Sequence, residues 1–568
     1  MQTTWPYEIE DRDWYFADTV TLNRGRHELR FGGEFITSTN VIRNHFRTMG
    51  NFTFDGSLSG SPMTDFFLGE VYSFLQGGGE YKDMSGRRFG LFAQDDWRVH
   101  PSLTVNLGLR WDPTLPYTDA LGRMQCIRPG QSSTRFPRAP LSYLSGGDSG
   151  CPEGGFNAYY KSFAPRVGFA WRTPLNSTVV RGGFGFFWIP QFTAIYQGFI
   201  NGAPFSPQIN RFGVKFDDPY ENTPNPFPAS FAPFVPARDS EFTKPLGLVG
   251  NFEPNFRPSY MQTFNLTVER EIGRNLLARL SYIGNMGRHL SYSVDTNYGV
   301  YIPANSTARN LQDRRPLPDF GQILTGRSES TSTYHGLQGS LERRFYSLTF
   351  EVNYTFSKSI DEYSADPTPG QSSSLAIPYS RILNRGLSDF HVRHREVASV
   401  VWALPKFAAY APLVRHLLGN WQASGIITMQ SGRPFSVLSG RDNSQSGVGR
   451  DNADLIGNPY LDTSRPRASL VASYFNPAAY TANAMGTFGT APRNHIIAAG
   501  LASLDAAIVK TIPIRERYRI QFRSEFFNAL NRPNFNAPFA TQSNLARFGR
   551  LESAADPRII QFALKVQF

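Results

Sequence analysis

The last eleven residues, Arg558-Ile-Ile-Gln-Phe-Ala-Leu-Lys-Val-Gln-Phe568, put Ile560, Phe562, Leu564, Val566 and Phe568 on one parity and Gln561, Ala563, Lys565 and Gln567 on the other. Side chains alternate faces along a strand, so this run has one apolar face and one polar face. Terminal residues are ordinarily polar and frayed, so an amphipathic strand that reaches Phe568 has a structural use. The pattern recurs along the chain. Leu29, Phe31 and Phe35 oppose Glu28, Arg30 and Glu34; Leu103, Val105, Leu107, Leu109 and Trp111 oppose Thr104, Asn106 and Arg110. Leu348, Phe350, Val352, Tyr354 and Phe356 oppose Thr349, Glu351, Asn353 and Thr355; Tyr518, Ile520, Phe522 and Phe526 oppose Arg519, Gln521, Arg523 and Glu525. Charged faces of this kind cannot be buried in a sandwich core. The hydrated interior of a wide barrel solvates them, and the apolar parity then meets lipid.

Further strands are expected near Trp14–Leu22, Phe66–Gln76, Arg88–Trp97, Ala164–Trp171, Val179–Trp188, Met261–Arg270 and Leu276–Gly284. In the second half they are expected near Gly336–Phe345, Arg395–Leu404, Trp421–Gln430 and Leu504–Lys510. The fold class is therefore all-β: an antiparallel transmembrane β-barrel of outer-membrane type, with about sixteen strands of about ten residues present. Composition agrees. Aromatics make up 14% and charged residues 18%, and mean hydropathy is −0.34. No apolar run approaches the roughly 20 residues of a membrane-crossing helix. The net charge of +11 is spread over strands and loops, which disfavours nucleic acid and suits anionic lipid and lipopolysaccharide phosphates contacted by arginine.

Connections alternate in length. Pro101-Ser102, 271–275 and 345–347 are tight, whereas 112–163, 190–260, 285–334, 359–394 and 431–503 are long and rich in Pro, Asn, Ser and Gly. Barrels of the outer membrane have short periplasmic turns and long extracellular loops, so the long segments face outward and form the ligand surface. Cys126 and Cys151, the only cysteines, share the first of the five long loops. A loop disulfide is the simpler expectation and two free thiols the alternative.

Several groupings suggest chemistry and are better explained structurally. His391 and His394 are three apart, which on a strand places them on opposite faces and argues against a shared metal. Asp442, Ser444 and Ser446 have the spacing of a calcium loop that lacks its bidentate twelfth-position Glu. Gly182-Gly183-Phe-Gly185 has no βαβ context for a dinucleotide. The pairs Asp95/Asp96 and Asp361/Glu362 are adjacent, so their carboxylates diverge. Trp14, Trp97, Trp111, Trp171, Trp188, Trp402 and Trp421 suit interfacial girdles. No catalytic residue, cofactor or metal site is expected, and the chain is not expected to be an enzyme.

Arg88-Phe-Gly-Leu-Phe-Ala-Gln-Asp-Asp-Trp97, the strand 103–111 and Phe163-Ala-Pro-Arg-Val-Gly-Phe-Ala-Trp171 resemble the barrel of TonB-dependent outer-membrane receptors, in particular the Oar-like group. Tyr354-Thr-Phe-Ser-Lys-Ser-Ile-Asp361, Arg385-Gly-Leu-Ser-Asp-Phe-His-Val-Arg-His-Arg395 and 522–535 extend the resemblance over nearly the whole chain. It implies uptake of a bulky ligand, a barrel of roughly 22 strands, and a plug and TonB box ahead of it. Met1-Gln-Thr-Thr-Trp-Pro-Tyr carries no secretion signal, and no plug or TonB box is visible. The expectation is thus a partial barrel over 1–568 that meets the TonB complex only through a plug outside this chain. The resemblance also implies that Phe562, Leu564, Val566 and Phe568 form the strand read by the barrel assembly machinery at the outer membrane of a Gram-negative-type bacterium. Loops set specificity, so the extracellular ligand is unknown. A surface adhesion or structural barrel is the alternative, and an outer-membrane enzyme the third.

Overall fold

The computed structural model describes residues 7–45, 47–190, 193–196, 199–200, 202–221, 223–225, 227, 235–247, 249–273, 275–364, 375–462, 464–515 and 518–568. The first six residues, and parts of 190–260, 359–394 and 431–503, lie outside them.

Alternation produces one very large sheet. Its long strands are β1 (Tyr7–Arg24), β2 (His27–Asn44), β3 (Glu80–His100), β4 (Leu103–Trp111) and β5 (Phe163–Arg172). They continue as β6 (Thr178–Trp188), β7 (Tyr260–Ile272), β8 (Leu276–Asp295), β9 (Ile323–Phe345) and β10 (Leu348–Asp361). The last five are β11 (His394–Ala403), β12 (Trp421–Gln430), β13 (Leu501–Arg515), β14 (Tyr518–Phe527) and β15 (Ile559–Gln567). Each pairs antiparallel with its sequence neighbour, from β1 with β2 through β14 with β15. A short parallel segment, Val249–Phe252 on Ile323–Gly326, is added beside β9. Among the described residues β1 and β15 do not pair with each other, so the sheet is an outer-membrane barrel wall that is not closed.

Register keeps one parity outward across the wall. Val167 faces Phe184, Phe184 faces Phe264, Leu266 faces Tyr282, Tyr282 faces Leu337 and Leu337 faces Phe356, all exposed apolar side chains except the half-buried Phe264. Two strand glycines make room on this face. A Cβ on Gly182 would strike the Phe169 ring and one on Gly284 the Phe264 ring, so each aromatic lies across a neighbouring backbone. The inward parity is polar: Arg30 binds Glu28 and Asp96, and Arg279 donates to Glu269 at 2.8 Å.

The connections segregate by side. Gly25-Arg26, 101–102, 173–177, Gly273, Asn275, 346–347 and 404–420 lie at one rim. The described residues of 45–79, 112–162, 189–259, 296–322, 362–393, 431–500 and 528–558 lie at the other. The 285–334 loop is shorter than expected because β8 and β9 run on into it, where Tyr292, Ser293, Val294, Ser328 and Ser330 are buried against protein. At about 3.3 Å per residue, the 23-residue β9 is about 75 Å long, far more than the 9–11 residues that cross hydrocarbon.

One expected strand is not in the wall. Phe66–Gln76 becomes a short helix, Pro62–Leu68, followed by the strand Glu70–Gly77, which forms a separate sheet with Asn51–Thr53 and Gln208–Lys215. Ser61 caps the helix, Pro62 opens it, and Gly69 closes it at φ 69°. Val71, Tyr72 and Phe74 are all buried, so both faces of this strand meet protein and neither can meet lipid.

Candidate functional site

The long loops do not hang free; they pack into a cap with its own cores. The largest core draws Met124, Cys126 and Phe156 from 112–162, and Tyr196, Phe199 and Phe252 from 189–259. Phe252 is fully buried, with ring centroids at 4.1 Å from Phe199, 5.0 Å from Phe156 and 4.9 Å from Phe256. Cys126 and Cys151 are joined as a disulfide at the edge of the small ladder Gln125–Ile127/Tyr143–Ser145. Polar pins complete this unit. Arg128 Nη1 donates to Asn251 Oδ1 at 3.0 Å and to the Phe252 carbonyl at 3.3 Å. Although burial opposes it, hydrogen bonds from Ser133, Ser145, Thr134 and Arg135 hold the Asp148 carboxyl below its ordinary range.

A second core joins 431–500 to 528–558 through Val437, Phe475, Tyr480 and Phe548. Between this unit and the 362–393 loop lies a cavity of about 390 Å³ with Tyr363, Leu383 and Phe435 on its walls and Arg450, Arg493 and Asn494 at its polar edge. Such a volume encloses a small organic group. Its charges are largely paired: Arg381 Nη1 donates to both Glu362 oxygens at 2.7 and 2.8 Å, and Arg493 bridges Asp361 at 2.6 Å and Asp389 at 2.9 Å. Asp361 and Glu362 therefore each hold an arginine, which fixes loop geometry.

The other groupings are placed as follows. Buried His391 accepts from the Ser359 N–H at 3.2 Å, and burial, with Arg393 and Lys358 nearby, lowers its pKa. His394 lies on β11 instead, 2.7 Å from the Tyr354 hydroxyl. Asp442 accepts from Tyr72 Oη at 3.0 Å, Ser444 Oγ at 2.9 Å, Ser446 N at 3.1 Å and Gly447 N at 2.9 Å. Its carboxylate is thus ringed by donors where a cation needs acceptors. Asp95 contacts His27 at 2.8 Å and Asp96 contacts Asn106 at 2.5 Å, on opposite faces of β3. Trp97, Trp171 and Trp402 are exposed near the turn-side rim; Trp111 and Trp188 stand at the loop-side rim, pinned to the carbonyls of Tyr160 and Phe163 at 2.7 and 2.9 Å. Phe562, Leu564, Val566 and Phe568 lie exposed along the outward edge of β15, with Phe562 stacked on Phe522 at 6.2 Å.

A family profile described as outer membrane beta barrel domain matches residues 1–561. The chain belongs to that family. As an outer-membrane barrel domain it is placed in the outer membrane of a Gram-negative-type bacterium, with the apolar parity in lipid. No curated protein matches the chain. Among solved structures, the outer membrane transporter YddB from Escherichia coli is similar at a TM-score of 0.51 and 10% identity, over 99% of this chain and 55% of that one. The FrpB iron transporter from Neisseria meningitidis (F3-3 variant) aligns at a TM-score of 0.45 and 10% identity, over 99% and 55%. The siderophore receptor PirA from Acinetobacter baumannii aligns at 0.46 and 10%, again over 99% and 55%. The chain thus spans about half the length of these structures. Within this barrel domain, residues that the sequence did not single out include Phe156, Tyr196 and Phe252 of the cap and Arg166 of the inner wall. For Arg166 a signal existed: like Arg110, it shares the inward parity of its strand.

Proposed function

We propose that the chain is the greater part of the barrel of a TonB-dependent, Oar-like outer-membrane receptor, whose cap binds a bulky ligand and whose complete form passes it inward. The observation that carries this reading is the segregation of every long loop to one rim, where the loops pack into ordered units with a cavity between them. A purely structural barrel has no need of so much ordered polypeptide on one side. The two edges support an incomplete wall. β1 and β15 both run from the loop rim to the turn rim, so pairing them directly would make a parallel ladder. An open edge is not tolerated in lipid, and antiparallel closure requires an odd number of further strands between them. On this reading a plug, reached by the TonB complex, fills the lumen of the full receptor. Phe562, Leu564, Val566 and Phe568 present the assembly machinery with its recognition strand, and arginines at the rims meet lipopolysaccharide phosphates. The test is to read the DNA upstream of Met1. A plug, a TonB box and an odd number of amphipathic strands are expected; an upstream region with no plug and no TonB box would reject the receptor in favour of an adhesion barrel.

A further inference from the structure

On the inward face of five consecutive strands, β2 to β6, just below the loop rim, lies a cavity of about 210 Å³. It holds three arginines, Arg88, Arg110 and Arg166, against two carboxylates, Glu34 and Asp112. Arg110 occupies both carboxylates: its Nε donates to Asp112 at 2.7 Å and its Nη2 to Glu34. Arg88 and Arg166 have no ion pair among the described residues. The Arg166 guanidinium lies over the Phe187 ring, 4.4 Å from its centroid. Arg88 Nε is buried without a hydrogen-bond partner.

Two glycines on this face provide the space. A Cβ on Gly90 would overlap Arg110 Nη2 and sit 2.6 Å from Asp112 Oδ1. A Cβ on Gly185 would sit 3.2 Å from both Arg166 Cγ and the Phe187 ring. Gly185 belongs to the glycine run that fits no nucleotide motif; part of that run accommodates an arginine stacked on a phenylalanine.

We propose that this cavity is an anion subsite, which takes a carboxylate or phosphate group carried on a flat apolar body. Arg88 and Arg166 grip the oxyanion with planar forks, the bidentate geometry suited to carboxylate and phosphate, and Phe187 flanks the apolar part. Three guanidiniums against two carboxylates leave the cluster cationic, and an incoming oxyanion supplies the acceptor that Arg88 Nε lacks. The volume is below the ~300–1,000 Å³ of pockets that enclose a drug-sized ligand, so the cavity receives one group of a larger molecule. The inference rests on the receptor reading and narrows its ligand to one bearing an anionic group.

The test uses the receptor expressed with its upstream coding sequence, extracted from the outer membrane in detergent and titrated calorimetrically with phenyl phosphate and with inorganic phosphate. Saturable binding of phenyl phosphate is expected, with inorganic phosphate weaker. Arg166→Ala and Arg88→Ala should each lower affinity about tenfold or more, with Arg166→Lys intermediate. Arg30→Ala, which removes a luminal arginine already paired with Glu28 and Asp96, should change nothing. Circular dichroism and heat-modified mobility verify the fold of each variant. Absent binding, or unchanged affinity in both alanine variants, overturns the subsite; equal affinity for the two phosphates overturns the apolar body. A receptor that reaches the outer membrane but ignores phenyl phosphate loses only this inference, whereas an upstream region with neither plug nor TonB box rejects the receptor reading itself.

Discussion

The wall and the cap solve the burial problem in opposite ways. In the wall, aromatic and aliphatic side chains such as Leu107, Phe356 and Phe562 are exposed, because the solvent they meet is lipid. In the cap, Phe156, Phe199 and Phe252 are withdrawn behind a disulfide, a buried carboxylate and arginine pins, because the solvent there is water. The same residue types thus serve two media, and burial distinguishes the regions better than hydrophobicity does.

The sharpest break of that contrast is a matched pair of truncations. Phe252→Ala empties the centre of an aromatic cluster and should cost the cap about 3–5 kcal/mol. Phe356→Ala on the wall removes a side chain that is half exposed to lipid or detergent, with Leu337 and His394 as its strand neighbours, and should cost much less. Limited proteolysis of the loops, with barrel mobility followed on gels, reads both; equal losses would show that the cap is not an independently packed unit.

Next in size is the clamp. Cys126 and Cys151 are 25 residues apart, so releasing their bond should loosen the loop by about 3–4 kcal/mol on chain-entropy grounds. A reductant, or the paired change to serine, should make 112–162 protease-sensitive while the sheet signal in circular dichroism stays constant. A loop equally resistant when reduced would leave the pins at Asp148 and Arg128 as the dominant restraint.

A comparison within the wall tests which parity is lipid. Leu107→Lys on the outward face of β4 should destabilise the inserted barrel by about 2–4 kcal/mol, whereas Asn106→Lys on the inward face should be nearly neutral. The sign reverses if the lumen assignment is inverted, and urea titration in lipid vesicles decides it.

The wall was legible because its signal is local. Alternation such as that of Leu103 to Trp111 is set by two unlike solvents and can be read over nine residues without knowing any partner strand. Where β9 runs beyond the membrane, over 326–333, the alternation loses its apolar half, and in β8 its apolar residues Tyr292 and Val294 are covered by protein, so there the expected loop was too long. The cap was not legible, because its cores join residues from different loops: no short-range pattern links Phe156 to Phe252. Phe66–Gln76 shows the boundary between the regimes. It has enough apolar residues for a lipid-facing strand, yet Ser61-Pro62 and Gly69 bracket a helix, and the following residues are buried on both faces. The groove of arginines at Arg88 and Arg166 was half legible: the parity was readable, but the convergence of five strands was not.

The smallest expected effect concerns titration in the cap. Burial pushes the Asp451 carboxyl up to about 6 from an ordinary 3.8, while Ser444 and Asn483 donate to it at 2.6 and 2.9 Å. Between these two values the folded cap binds more protons than the unfolded chain, so this group's stabilisation is full below the lower value and is lost as pH rises through the upper one. The whole effect is about 3 kcal/mol at most. His391 and His495 act in the opposite sense: burial lowers both, so their folded forms stay neutral and stability falls as pH drops below the ordinary histidine range. In the native cap the two trends oppose each other between pH 7 and 5. Asp451→Asn keeps an acceptor for Ser444 and Asn483 but removes the acid-side gain, so only the histidine losses remain, and the variant should become more acid-labile than the parent. Near-ultraviolet circular dichroism melts at pH 5 and pH 7 measure this, and parallel pH profiles for parent and variant would show that Asp451 ionises in the folded cap as it does in water.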